Sequence, residues 1–159
     1  MRPLLLASLA LLSALSLEAA VVRAAPDFSF PAVGKARSLR SLRGQAVVLL
    51  VTRSPKEGDF KKQLKYLREI YEQFASKQVV FVAALREGEG PIQSNLPFAV
   101  ASNGAAVADA YGVADDFSIV IIGRDGNIDY QTKKVLTPER VRDVIQNSFM
   151  VQEGSRKGQ

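Results

Sequence analysis

Two unbroken apolar runs, AVVLLVT at 46–52 and VVFVAAL at 79–85, punctuate this chain of 159 residues. Both are rich in valine and carry no charge, the pattern of central strands covered on both faces. FAVA at 98–101 and SIVIIG at 118–123 repeat it in shorter form. Between the first two runs, Phe60, Leu64, Leu67, Tyr71 and Phe74 recur at steps of four, three, four and three. This spacing predicts a helix over 55–75 with a single apolar stripe laid on a sheet. GAAVADAYG at 104–112 predicts a shorter helix of small residues. Arg124-Asp125-Gly126-Asn127 is a hairpin turn joining SIVIIG to IDYQTK. Thr137-Pro138-Glu139 opens the last helix with a cap, a proline at the first helical position and an acid in the first turn. The order is strand, helix, strand, helix, strand, strand, helix. An α/β chain is expected, with a central mixed sheet flanked by helices.

The ends differ from this body. Arg2, an apolar stretch from Leu4 to Leu17, and the small-residue pattern Val22-Arg23-Ala24 predict a secretory signal over 1–24, cut after Ala24. The apolar stretch is short for a bilayer span, so no transmembrane anchor is expected after cleavage. The domain is then 25–152, with the polar end QEGSRKGQ giving a flexible tail over 153–159. A secreted or periplasmic protein is the expectation.

Composition then removes most chemistry. The chain has no cysteine, no histidine and no tryptophan. A thiol nucleophile, a disulfide, an imidazole base and zinc or copper sites built on soft or imidazole ligands are excluded. No catalytic residue, cofactor or metal is assigned. Glu87, Glu89 and Asp59 fall near predicted strand ends, but Arg-Glu-Gly-Glu-Gly-Pro lacks a calcium-loop spacing. Removing residues 1–24 leaves 19 basic and 15 acidic residues, a net charge of +4. Arg37, Arg40 and Arg43 lie three apart, on one side of the chain if that segment is helical. They form either a solvated face or a patch for an anionic partner such as a polysaccharide. Aromatic residues do not interleave with them, and no nucleic-acid ligand is expected.

The element order resembles that of thioredoxin, and PDFSFPAVGKARSLRSLRGQAVVLLV is similar to the entry of exported redoxins. Laid without gaps from Val47 to Phe74, the redoxin pattern places its two active-site cysteines at Glu57 and Phe60. A second gapless stretch, from Tyr111 to Gly126, places the cis-proline of that family at Phe117. The segment from Phe117 to Gly126, with its Ile-Gly-Arg-Asp-Gly run, the Thr137-Pro138-Glu139 helix and the ending Asn147 to Glu153, resembles a secreted domain family. That domain of unknown function occurs alone in bacteria and at the C-terminus of animal sushi-repeat matrix proteins. The resemblance implies a thioredoxin-like fold and contacts with a matrix or cell surface.

Ser54-Pro55-Lys56-Glu57 has the form of a capping box, with serine as cap and glutamate three residues on. Asp59 is a rival cap, one turn later. Phe117 has two possible fates. It fills the former substrate groove by packing on Phe60, or it stays exposed beside Gly58 as an anchor rimmed by Asp115 and Asp116. The candidate partner-contact set is therefore Glu57, Gly58, Phe60, Asp115, Asp116 and Phe117. The expected function is that of an exported, redox-inactive binding or structural module that contacts protein or anionic polysaccharide at the cell surface. The alternative is a redoxin-class oxidoreductase or antioxidant that works without cysteine.

Overall fold

A computed structural model describes residues 22–75, 78–87 and 92–157. The main sheet has five strands: β3 (Ala46–Thr52), β4 (Val79–Leu85), β5 (Phe98–Val100), β6 (Phe117–Ile122) and β7 (Ile128–Thr132). Their spatial order is β5-β4-β3-β6-β7. β3 pairs in parallel with β4, from Ala46 opposite Val79 to Thr52 opposite Leu85, and antiparallel with β6. Two short strands, β1 (Ser29–Phe30) and β2 (Arg37–Ser38), pair separately. The helices are α1 (Gly58–Ala75), α2 (Gly104–Ala110) and α3 (Pro138–Lys157), with a 3-10 turn at Leu39–Leu42.

All seven residues of β3 are buried, because the strand is covered on both sides. Its alternation sorts the core. Val47, Leu49 and Val51 join Leu39, Leu42, Val107 and Tyr111 on the face covered by α2 and the N-terminal segment. Val48 and Leu50 join Phe60, Leu67, Ile70, Val141 and Ile145 on the face covered by α1 and α3. This is a two-sided parallel core extended by an antiparallel hairpin. Gly104 lets α2 approach the sheet: a Cβ there would collide with the backbone of Leu85. Gly126 takes φ +82° in the turn between β6 and β7, a conformation that disfavours side chains.

The final helix begins as its sequence predicts. Thr137 Oγ1 accepts from Arg140 N at 3.3 Å, and Pro138 is the first helical residue. The helix runs to Lys157, past the expected boundary at Gln152. Helix α1 corrects its expected start. It begins at Gly58 rather than Pro55, with Asp59 inside its first turn. Ser54 is therefore not its cap; its hydroxyl only accepts from Lys56 N at 3.3 Å in a local turn.

The expected signal segment falls mainly on residues 1–21, which lie outside the described residues, as does Glu89. Residues 23–25 are described and held to the β7 end of the sheet. Ala24 bridges Asn127, Ile128 N donates to Arg23 O at 2.8 Å, and Ala25 N donates to Gly126 O at 3.0 Å. Among the described residues, no helix is long and apolar enough to cross a membrane.

Candidate functional site

Strand register decides which loops meet. Thr52, the last residue of β3, pairs with Phe117, the first of β6. The segment leaving β3 for α1 therefore lies against the segment entering β6. Thr52, fully buried, holds them together: its hydroxyl is 3.1 Å from Ser54 O and 3.1 Å from Asp116 O, and its single proton serves one of them at a time. Arg53 N adds a bond to Asp116 O at 2.9 Å.

Arg53 gathers the charges. Its guanidinium donates to Glu57 Oε1 from Nε at 3.1 Å and from Nη2 at 2.8 Å. The same group reaches Asp116 Oδ1 from Nη1 at 3.5 Å. The hydrogen bond that Arg53 donates to Glu57, then the charges of Asp116 and Glu57, raise the Arg53 pKa above its already high ordinary value. Glu57 thus spends its carboxylate on Arg53 instead of closing a capping box, which is why the helix opens one turn late. Its carbonyl serves the helix instead, accepting from Lys61 N at 3.1 Å. On the far side Arg86 Nη1 donates to Ala114 O at 3.0 Å and Asp115 O at 3.2 Å, and Lys133 Nζ lies 3.8 Å from Asp115 Oδ2.

The two phenylalanines of the expected contact set are enclosed in the core. Phe60 is 0% exposed and Phe117 2% exposed, both in the cluster under α1 and α3. This removes them from the expected contact set: a partner cannot touch a side chain already enclosed by the core. The peptide bond before Phe117 is trans. Glu57, Gly58, Asp115 and Asp116 remain at the surface, and a Cβ at Gly58 would meet open space. The exposed-anchor arrangement is not formed: Phe117 is enclosed in the core cluster that also holds Phe60.

Sequence reading brought the two loops together correctly but missed Arg53, Thr52 and Arg86, which join them. Only the four-residue spacing of Arg53 and Glu57 gave a signal. The arginines at 37, 40 and 43 do not share a helical face. Arg37 lies in β2, Arg40 pairs with Asp27 at 3.4 Å from the 3-10 turn, and Arg43 follows that turn. Asp59 and Glu87 form no cation cluster; among the described residues, no three carboxylates gather to hold a metal.

A family profile described as AhpC/TSA matches residues 21–131, which takes in β3 to β6 whole and β7 up to Gln131. The chain belongs to the AhpC/TSA family. No curated protein matches it. Solved structures agree on a thioredoxin-like fold. A Chlorobium tepidum protein described as the thiol:disulfide interchange protein DsbE is 19% identical, with a TM-score of 0.68 over 80% of this chain and 96% of that one. Thioredoxin peroxidase I of Plasmodium yoelii is 16% identical, with a TM-score of 0.65 over 88% and 95%. The exposed lipoprotein thioredoxin Etrx1 of Streptococcus pneumoniae is 18% identical, with a TM-score of 0.57 over 77% and 99%. This AhpC/TSA chain keeps the sheet and helices of such proteins without a single cysteine.

Proposed function

We propose that this chain is an exported, redox-inactive AhpC/TSA-family module that acts by contact with another protein. One observation carries the reading. At the positions where the redoxin pattern sets its thiols stand Glu57, tied to Arg53 at 2.8 Å, and Phe60, with no exposed surface. In a redox thioredoxin-like site the helix start stabilises a reactive thiolate. Here a paired carboxylate occupies the entry to that helix, and the space behind it is packed with aromatic side chains. Disulfide exchange needs an attacking thiolate, and this chain supplies none.

The exposed layer of Arg53, Glu57, Gly58, Asp115 and Asp116 is the proposed contact surface. Charged groups at such a surface set orientation and association rate more than affinity, so a partner of complementary charge is expected to bind with salt-sensitive kinetics. The Ile-Gly-Arg-Asp-Gly segment, similar to the secreted matrix-protein domain, supports a partner at the cell surface. Export rests on the apolar leader pattern and the small residues at 22–24.

The test uses chain purified from the native envelope or medium. Insulin-disulfide reduction and peroxide turnover are measured against a heat-killed control, beside capture of envelope proteins by wild type and by Arg53→Glu. The proposal expects no turnover and a captured protein that Arg53→Glu loses. Turnover above the control establishes the cysteine-free oxidoreductase instead. Retention on an anionic polysaccharide column without protein capture assigns a glycan partner and overturns the protein-contact reading.

A further inference from the structure

A cleft at the other end of β6 plays no part in the surface just described. Three segments distant in sequence enclose it: the N-terminal stretch at Ala24 and Ala25, the 3-10 turn with Arg43 and Gln45 after it, and the β6–β7 turn at Gly123 and Gly126. Ala25 N donates to Gly126 O at 3.0 Å and Gly44 N to Arg124 O at 2.8 Å, so both flanking segments are fastened to that turn. The cleft measures about 140 Å³. Its apolar wall is Leu39, Leu42, Val47 and Ile122, side chains of the core that come to light only here.

The polar wall is positive. Arg40 and Arg43 line the cleft with a single acid, Asp27. That acid is engaged by the first arginine: it accepts from Arg40 N at 3.1 Å, and its other oxygen lies 3.4 Å from Arg40 Nε. Asp125, beside Gly126, is bound by Asn127 and does not line the cleft. Arg43 forms no ion pair among the described residues, so its charge is uncompensated.

A second observation is that the Arg43 guanidinium is already held in place. A Cβ on Gly126 would lie 3.3 Å from both Cζ and Nε of Arg43 and 3.4 Å from its Nη2. Near-equal distances to three atoms of one plane put the guanidinium face-on against the turn. Only glycine leaves room for it there. Contact through the face leaves the N–H groups at the edge to donate. A positioned arginine also loses less side-chain freedom when it grips an anion. Gln45, half-buried in the same wall, adds an amide donor.

We propose that this cleft binds a small monocarboxylate with a short apolar tail. The carboxylate takes the Arg43 guanidinium and the Gln45 amide, and the tail lies on Leu42, Val47 and Ile122. A carboxylate matches the edge of a guanidinium in two parallel hydrogen bonds. A cavity of about 150 Å³ holds a molecule the size of benzene, so a branched acid of about seven non-hydrogen atoms fits this space. Inorganic phosphate would leave the apolar wall unused, and a polymer would not enter. A ligand this small binds with a Kd of about 1 mM.

Isovalerate is titrated into the isotope-labelled full chain, and backbone amide shifts are followed by NMR. Isovaleramide, the same shape without charge, and inorganic phosphate are titrated at equal ionic strength. Isovalerate should give saturable shifts at Gln45, Gly123 and Gly126, with isovaleramide at least about tenfold weaker. Arg43→Gln should weaken isovalerate about tenfold with its spectrum otherwise that of the folded chain. Arg37→Gln, on β2 and outside the cleft, should bind as wild type does. No saturable shift up to about 20 mM isovalerate, equal binding of isovaleramide, or wild-type affinity in Arg43→Gln overturns the assignment. Phosphate binding more tightly than isovalerate shows a bare anion site and overturns the apolar-tailed ligand.

Discussion

Removing the Phe117 side chain tests whether the groove is filled. The ring is 2% exposed and belongs to the cluster that contains Phe60, Leu96, Leu136 and Ile119. Its strand position is fixed by pairing with Thr52, so the backbone has little freedom to collapse into the space left by Phe117→Ala. A phenylalanine-to-alanine change in such a place costs about 3–5 kcal/mol, the lost transfer energy plus the unrelaxed cavity. Each kcal/mol shifts the midpoint of a domain this size by about 3–5 °C, so a fall of roughly 10–20 °C is expected. With no tryptophan in the chain, the unfolding signal must come from circular dichroism or tyrosine fluorescence. Phe117→Leu keeps most of the volume and should cost under about 1.5 kcal/mol. Combining Phe117→Ala with Phe60→Ala tests the shared cluster: neighbours in one cavity should couple by about 0.5–3 kcal/mol. A midpoint that barely moves in Phe117→Ala would refute the burial. Strict additivity of the two alanines would refute their sharing one filled groove.

Ser54→Ala should change stability by less than about 0.5 kcal/mol, because its hydroxyl does not cap α1, whereas Thr52→Val should cost about 0.5–1.5 kcal/mol by removing the buried hydroxyl's bond to Asp116 O or Ser54 O, each of which keeps a backbone donor. Urea midpoints of the two variants decide the order, and a larger loss for Ser54→Ala would restore the serine cap. Gln63→Leu should cost about 2–4 kcal/mol, since the buried amide donates to Leu136 O at 3.0 Å and accepts from Leu136 N at 2.8 Å; equal stability of the variant would show that water replaces both bonds. A chain starting at Ala25 should be less stable than one starting at Val22 by about 0.5–1.5 kcal/mol, because it loses the Arg23 carbonyl that accepts from Ile128 N. Mass spectrometry of the exported protein gives the natural start, and equal melting of the two chains would show the added bridge to be idle. The Glu139 carboxyl is held below its ordinary range by backbone and Thr137 hydrogen bonds, so its contribution is present above the unfolded pKa and is lost as pH falls through the lower folded value. Glu139→Gln should therefore flatten the loss of stability below about pH 4.5, and an unaltered acid limb would remove Glu139 from that transition.

The sheet was legible because its signal is local. The runs at 46–52 and 79–85 match β3 and β4 residue for residue, since a strand covered on both faces must be apolar throughout. The stripe on α1 was legible for the same reason, and Leu64, Leu67 and Phe74 are buried as their spacing requires. Gln63, fully buried within that helix, was not: its reason to be inside is a backbone segment 73 residues away. The start of α1 misled because SPKE is a sound capping box in isolation. Arg53, one residue before it, outcompetes the backbone for Glu57, and only the fold places Asp116 where it strengthens that claim. Asp116 and Phe117 are neighbours in sequence with opposite fates, one exposed beside Arg53 and one enclosed. Strand pairing at Thr52 sets that alternation, and an unpaired sequence does not reveal where a strand begins.

On the proposed reading, the paired charge and the enclosed aromatics amount to one change of use. A working redoxin site must leave its helix start open to a substrate disulfide and keep its nucleophile unpaired enough to react. Both requirements hold stability down, because the open groove forgoes burial and the poised group forgoes bonding. In this chain Phe60 and Phe117 are enclosed in the core, and Glu57 and Asp116 converge on Arg53. On that reading, a cysteine introduced at 57 alone should not confer redoxin chemistry. The new thiol would stand beside Arg53, and the second cysteine would have to displace a ring that is 0% exposed. Activity in the Glu57→Cys/Phe60→Cys chain comparable to that of a natural redoxin would show that the core opens more easily than its packing implies. Failure of that variant, with recovery once Phe117 is also replaced by proline, would show that loss of the thiols and enclosure of Phe117 are separable, and that the packed core is the second barrier.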